Sequence, residues 1–101
     1  MFRNDLFKGK RFLITGGGTG LGKIMLERFV ELGADAVICG RRGSVLEQTA
    51  REIMGKFPGR RIDCFTVDIR VATAVEEMVG EIWAGGPIDG LVNNAAGNFI
   101  S

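Results

Sequence analysis

The chain has 101 residues, thirteen Lys or Arg against twelve Asp or Glu, and a formal charge of +1, a balance that gives no bulk attraction to nucleic acid or to an anionic membrane. Hydrophobic residues make up 46% and charged residues 25%, a globular composition of a length suited to one domain. Neither His nor Tyr occurs, so a Ser-His-Asp triad, a His-ligated metal and a tyrosine acid or base are excluded within these residues.

Short apolar runs alternate with longer helical patterns. Arg11–Thr15 (RFLIT) reads as a buried strand closed by Gly16, Gly17 and Gly18. A helix is expected over Leu21–Leu32, with Leu21, Met25, Arg28 and Leu32 on one face and Gly33 as its stop. Ala36–Cys39 is a second strand, and Ser44–Phe57 a second helix opening on a capping box from Ser44 to Glu47. Pro58-Gly59 ends that helix. Cys64–Val67 is a third strand, Thr73–Trp83 a third helix with a box from Thr73 to Glu76, and Ile88–Val92 a fourth strand. The order βαβαβαβ, with apolar strands separated by helices, implies a parallel sheet covered on both faces. Right-handed crossovers make this an α/β, Rossmann-type doubly wound portion with expected strand order 3-2-1-4.

Cys39 and Cys64 sit in apolar runs without C-x-x-C spacing, which reads as small buried hydrophobes rather than a disulfide scaffold or a metal site. No apolar stretch approaches the ~18 residues of a membrane span. Met1–Arg11 is charged and followed by too short an apolar run for a secretory signal. A cytoplasmic protein is expected; a mature organellar form would read the same way.

Gly is twofold over-represented, at 16 residues, against an average usage of about 7%. Part of the excess lies in T15-G-G-G-T-G-L-G22, directly between the first strand and the first helix. Free N–H groups and the positive end of the helix dipole face such a turn and stabilise an anion there. Glycine lets the backbone approach a pyrophosphate without a Cβ in the way. A glycine-rich turn with no ligand is the plainer alternative. A phosphoryl-transfer P-loop is disfavoured, because Ile24, not Ser or Thr, follows Lys23.

In this fold the residue ending the second strand meets the adenosine ribose; an acid there suits NAD, a cation the 2′-phosphate of NADP. This chain has Cys39-Gly40-Arg41-Arg42 and no acid. Guanidinium binds phosphate with two prongs and stacks on planar rings, so NADP(H) is the expected cofactor, with Arg41 ahead of Arg42. Solvated surface arginines are the alternative.

Together, T15-G-x-x-x-G-x-G22, Asp68 after the third strand and N93-N-A-A-G97 after the fourth resemble the short-chain dehydrogenase/reductase family, whose usual form of the last motif is N-N-A-G. Within that family, the run FLIT-GGGTGLGK, Asp68-Ile69-Arg70 and N93-N-A-A-G-N-F-I-S101 is similar to the 2,4-dienoyl-CoA reductases. The resemblance implies that Gly16, Gly17, Gly18, Thr19, Gly20, Leu21 and Gly22 form the pyrophosphate loop. It implies that Asp68 accepts a hydrogen bond from the adenine amino group beside the backbone of Ile69; capping a loop is the simpler role for Asp68. Asn94, Ala95, Ala96 and Gly97 would line the cofactor toward its nicotinamide half, while Asn93 would stabilise the sheet. Arg70 and Phe99 would hold an acyl-CoA substrate, and Arg41 would touch both cofactor and CoA phosphates. A surface charge and a core ring are the plainer readings of Arg70 and Phe99.

The resemblance further implies NADPH-dependent reduction of a dienoyl-CoA in unsaturated fatty acid oxidation. Another NADP-dependent reductase, of a ketone or of a 3-oxoacyl or enoyl thioester, and a non-catalytic nucleotide-binding fragment are the alternatives. Family members continue well past this length and place their catalytic Asn, Ser, Tyr and Lys there, so no catalytic residue is assigned here. The same resemblance implies a homotetramer at full length. The segment alone is expected to be inactive, with an open sheet edge that promotes self-association.

Overall fold

The computed structural model describes residues 5–94 of the chain. Four strands and three helices alternate: β1 (Arg11–Thr15), α1 (Gly20–Glu31), β2 (Asp35–Gly40), α2 (Gly43–Lys56), β3 (Ile62–Thr66), α3 (Ala72–Ala84) and β4 (Gly90–Asn93). The sheet is parallel with order β3-β2-β1-β4, the order expected for the Rossmann-type portion. Because side chains alternate across a strand, β2 feeds two cores. Ala36 and Ile38 pack with Ile14, Leu26, Val30, Leu46, Ala50, Ile53 and Ile62 beneath α1 and α2. Val37 and Cys39 pack on the opposite face with Val67, Met78 and Ile82 of α3. Among the described residues no helix is long and apolar enough to cross a membrane.

Several local expectations shift. The buried face of α1 is Gly22, Leu26 and Val30, not the Leu21, Met25, Arg28, Leu32 face; Leu21 is 62% exposed. Leu26, Phe29 and Val30 pack on the sheet at the i, i+3, i+4 spacing of one helical stripe, whereas the expected face carries the charged Arg28; Gly22 continues the buried stripe to the Gly16 carbonyl. Neither capping box forms. Arg42 caps α2 and Val71 caps α3, both without a side-chain cap bond, so Ser44 and Thr73 already lie inside their first turns.

The third strand starts two residues earlier than expected, at Ile62, because its register is set by β2: Ala36 pairs with Ile62 and Gly40 with Thr66. The strand tolerates Asp63 because β3 lies at the sheet edge, where Arg61 reaches that carboxylate at 3.1 Å and Arg11 at 3.6 Å. The fourth strand starts later, at Gly90, where pairing with Phe12 of β1 begins. The cover expected on both faces holds for the inner strands, but Leu91 on β4 is 64% exposed, and Trp83 on α3 is also exposed.

Arg11 of β1 holds the C-terminal end of α3 against the sheet. Its Nη1 donates to the carbonyls of Ile82 and Gly86, each at 2.9 Å. These oxygens lie at the C-terminal end of α3, where a cation also meets the negative end of the helix dipole. Both cysteines are free, with Cys39 buried, and burial pushes the Cys39 thiol up to about 11, which leaves it a protonated, unreactive packing group at neutral pH.

Candidate functional site

In a parallel α/β sheet the loops at the carboxyl ends of the strands share one side, and ligands bind in the crevice they form. Here those loops carry Gly16 after β1, Arg41 after β2, Asp68 after β3 and Asn94 after β4. A cleft of about 780 Å³ crosses them, lined by Gly16, Gly40, Arg41, Arg42, Val67, Asp68, Ile69 and Arg70. A smaller depression shares Gly16, Gly40 and the two arginines and extends over Gly18 and Thr19 to the start of α2.

The glycine-rich turn divides into two sets of residues. Gly16, Gly18 and Thr19 line the depressions, and Gly20 and Leu21 are exposed at the start of α1. Gly17 and Gly22 are buried behind the turn and line neither depression. A Cβ at Gly17 would meet Ile38 Cγ2 at 2.6 Å, and one at Gly22 would overlap the Gly16 carbonyl oxygen. These two glycines therefore serve packing: they let helix, strand and turn lie close enough to bring the start of α1 to the cleft.

The helix start suits an anion. The N-cap Thr19 makes no side-chain cap bond, and the first turn of α1 holds no acid, so its free N–H groups and positive dipole end meet no competing carboxylate. The first turn of α2 is likewise free of acids, and its cap is Arg42 itself. Arg41 and Arg42 are both exposed. Two helix starts and two guanidinium groups thus border one opening, a fit to a ligand with two separated phosphate groups.

Asp68 and Arg70 form a compact pair in the same cleft. Arg70 Nε donates to Oδ1 at 3.0 Å, Nη2 to Oδ2 at 2.9 Å, and the Arg70 backbone N–H to Oδ1 at 3.0 Å. The simpler role of Asp68, closing its own loop, is therefore present; its remaining lone pairs leave room for a further donor. Hydrogen bonding from Arg70 holds the Asp68 carboxyl far below its ordinary range, at about 2. With a depressed folded value, the pair's stabilisation is complete above the unfolded value of about 4 and is lost as pH falls toward the folded one. A carbon NMR titration of the Asp68 carboxyl should give a midpoint at about 2, and Arg70→Met should raise it toward, but not fully to, the ordinary value of about 4, because the backbone N–H of residue 70 still donates to Oδ1.

Asn94 reaches the turn from β4. Its backbone N–H donates to Thr15 Oγ1 at 2.8 Å, and its Nδ2 lies 3.5 Å from the Gly16 carbonyl oxygen. Asn93 Oδ1 accepts from the Thr15 hydroxyl at 3.1 Å, a bond across the sheet. Ala95, Ala96, Gly97 and Phe99 lie outside the described residues. One site residue escaped the sequence reading: Thr49 of α2, whose buried hydroxyl donates to the Gly18 carbonyl at 2.7 Å. The available signal was a lone hydroxyl in the apolar stripe Leu46, Ala50, Ile53.

The profile of the short chain dehydrogenase family matches residues 10–100. A protein of Bacillus subtilis named "Probable 2,4-dienoyl-CoA reductase", (2E)-enoyl-CoA-producing, is 44% identical over 92 residues, which are 90% of this chain and 35% of that one. A Caenorhabditis elegans protein named "Probable 2,4-dienoyl-CoA reductase 3", (3E)-enoyl-CoA-producing, is 46% identical over 102 residues, covering 99% and 33%. Among solved structures, L-sorbose reductase from Gluconobacter frateurii, complexed with NADPH and L-sorbose, superposes with a TM-score of 0.84 at 33% identity, over 91% of this chain and 35% of that one. The chain spans about a third of the length of these relatives. Strand order, the glycine-rich turn at the start of α1 and the family match agree: the chain belongs to the short-chain dehydrogenase family.

Proposed function

We propose that this chain is the cofactor-binding part of an NADP(H)-dependent reductase acting on a 2,4-dienoyl-CoA. One observation carries the cofactor reading: the loop after β2 brings Arg41 and Arg42, and no carboxylate of its own, to the cleft between the starts of α1 and α2. In this reading Gly16, Gly18, Thr19, Gly20 and Leu21 hold the pyrophosphate, with Gly17 and Gly22 allowing the close approach. Arg41 and Arg42 hold the 2′-phosphate, Asp68 and Ile69 the adenine, and Asn94 to Gly97 the ribose toward the nicotinamide. When bound, the reduced nicotinamide supplies the hydride.

The protein's share is orientation and charge. Phosphates are neutralised by two guanidinium groups and two helix starts, which fixes the cofactor along the carboxyl edge of the sheet. No phenol or imidazole exists among the 101 residues, so this part holds the cofactor and supplies no such proton donor. The acyl-CoA class rests on likeness to the two relatives named as dienoyl-CoA reductases, with Arg70 and Phe99 as its contacts. The likeness to L-sorbose reductase favours a second reading, an NADPH-dependent carbonyl reductase.

Assay of the whole protein separates these. NADPH oxidation with a 2,4-dienoyl-CoA should exceed that with a 3-oxoacyl-CoA or a ketose, and NADPH should outperform NADH by at least about tenfold, or 1.4 kcal/mol. A preference for the ketone substrates overturns the substrate class; equal use of NADH overturns the cofactor reading.

A further inference from the structure

We infer that Thr49 is a positioning residue that fixes the pyrophosphate loop relative to the 2′-phosphate arginines, with α2 as the rigid bar between them. Thr49 is 3% exposed, and its Oγ1 donates to the Gly18 carbonyl at 2.7 Å. α2 also leaves no room for a side chain at Gly18: a Cβ added there would meet Val45 Cγ1 at 3.2 Å and Leu46 Cδ2 at 3.3 Å. The loop residue that lines the cleft is thus seated on one turn of α2 and hydrogen-bonded to the next.

The consequence follows from the planarity of the peptide unit. In a trans peptide the C=O and the next N–H point in opposite directions. Holding the Gly18 carbonyl toward α2 therefore aims the Thr19 N–H away from α2, at the beginning of α1, where free N–H groups attract an anion. The same helix begins at its cap Arg42, seven residues before Thr49, or about 10 Å along the axis. One end of α2 presents the arginine, and the hydroxyl two turns later sets the loop. A ligand spanning both anion subsites reads that fixed spacing; a ligand filling only the arginine end does not.

The pattern of affinities tests this. Thr49→Val keeps shape and β-branching and removes only the donor; Thr49→Ser keeps the donor. By calorimetry, Thr49→Val should weaken NADP+ binding about tenfold, because a loop released from α2 occupies its binding position only part of the time, while 2′-AMP binding stays within about twofold. Thr49→Ser should restore NADP+ binding. Equal loss for both ligands, no loss for either, or no rescue by Ser would overturn the inference.

The ligand comparison rests on the NADP(H) reading, so a second measurement stands apart from it. Order parameters of the Gly18 to Leu21 amides, from nitrogen relaxation, should fall in Thr49→Val and return to the parent values in Thr49→Ser. Unchanged order parameters overturn the inference whatever the cofactor. Parent protein that binds NAD+ as well as NADP+ overturns the cofactor reading alone, and the order parameters then decide the role of Thr49.

Discussion

Gly22→Ala should destabilise the protein by about 3 kcal/mol in chemical denaturation, and Gly80→Ala should stabilise it by about 0.5–1 kcal/mol. Both glycines lie inside helices, α1 and α3, where Ala gains by reducing backbone entropy in the unfolded chain. At Gly80 nothing lies within 4 Å of an added Cβ, so only that gain acts. At Gly22 the new methyl would overlap the Gly16 carbonyl oxygen and lie 2.8 Å from Asn94 Nδ2. The first obstacle is backbone, so relief requires moving the whole turn, and the steric cost outweighs the helical gain. A loss of 3 kcal/mol is a large share of the roughly 5–15 kcal/mol that holds a domain together. Opposite signs for one substitution in two helices separate close approach from propensity. Equal signs would remove the packing role assigned to Gly22.

Replacing both Arg41 and Arg42 by Ala should raise the NADP+ dissociation constant about 100-fold while NAD+ changes less than about threefold. The ligands differ only in the 2′-phosphate, so a selective loss reports the cations that meet it. The fold should survive, because α2 is capped by the Arg42 backbone: its carbonyl accepts from Val45 and Leu46 N–H at 3.1 and 3.2 Å, and Ala keeps that carbonyl. Salt supplies a second check. Exposed charges are screened, so NADP+ affinity should fall steeply with ionic strength in the parent and weakly in the double variant. Parallel loss of both cofactors would assign the arginines to the fold instead.

The architecture was legible because each strand is an apolar run bounded by turn residues and separated from the next by a helix, and parallel order follows from those crossovers. The glycine-rich turn was legible as a motif but not in its division of labour. Nothing in the letters distinguishes Gly17 and Gly22, which face protein, from Gly16 and Gly18, which line the cleft. The face of α1 differs because two apolar stripes overlap in this helix: Leu26, Phe29 and Val30 meet the sheet, and the Leu21, Met25, Leu32 set, which includes the charged Arg28, does not. The two S/T-x-x-E pairs looked like caps because spacing alone cannot say whether a helix begins one residue earlier, as it does at Gly43 and Ala72. β3 was shifted because Asp63 interrupts the apolar run and is tolerated only at an edge with arginines beside it. Thr49 was missed because its value lies in a partner 31 residues away.

The order β3-β2-β1-β4 also dictates a sequence of events during synthesis. A chain emerging from its N-terminus can pair β1 with β2, and β2 with β3, as soon as Thr66 is available. The other edge of β1 then waits for a strand that begins at Gly90, and the Arg11 backbone N–H waits for Asp89, 78 residues away. That edge stays open until the whole third crossover, from Thr66 to Gly90, has been synthesised. The nascent protein therefore spends its late assembly with its central strand exposed along one side, the stage at which a sheet edge is open to pairing with other chains.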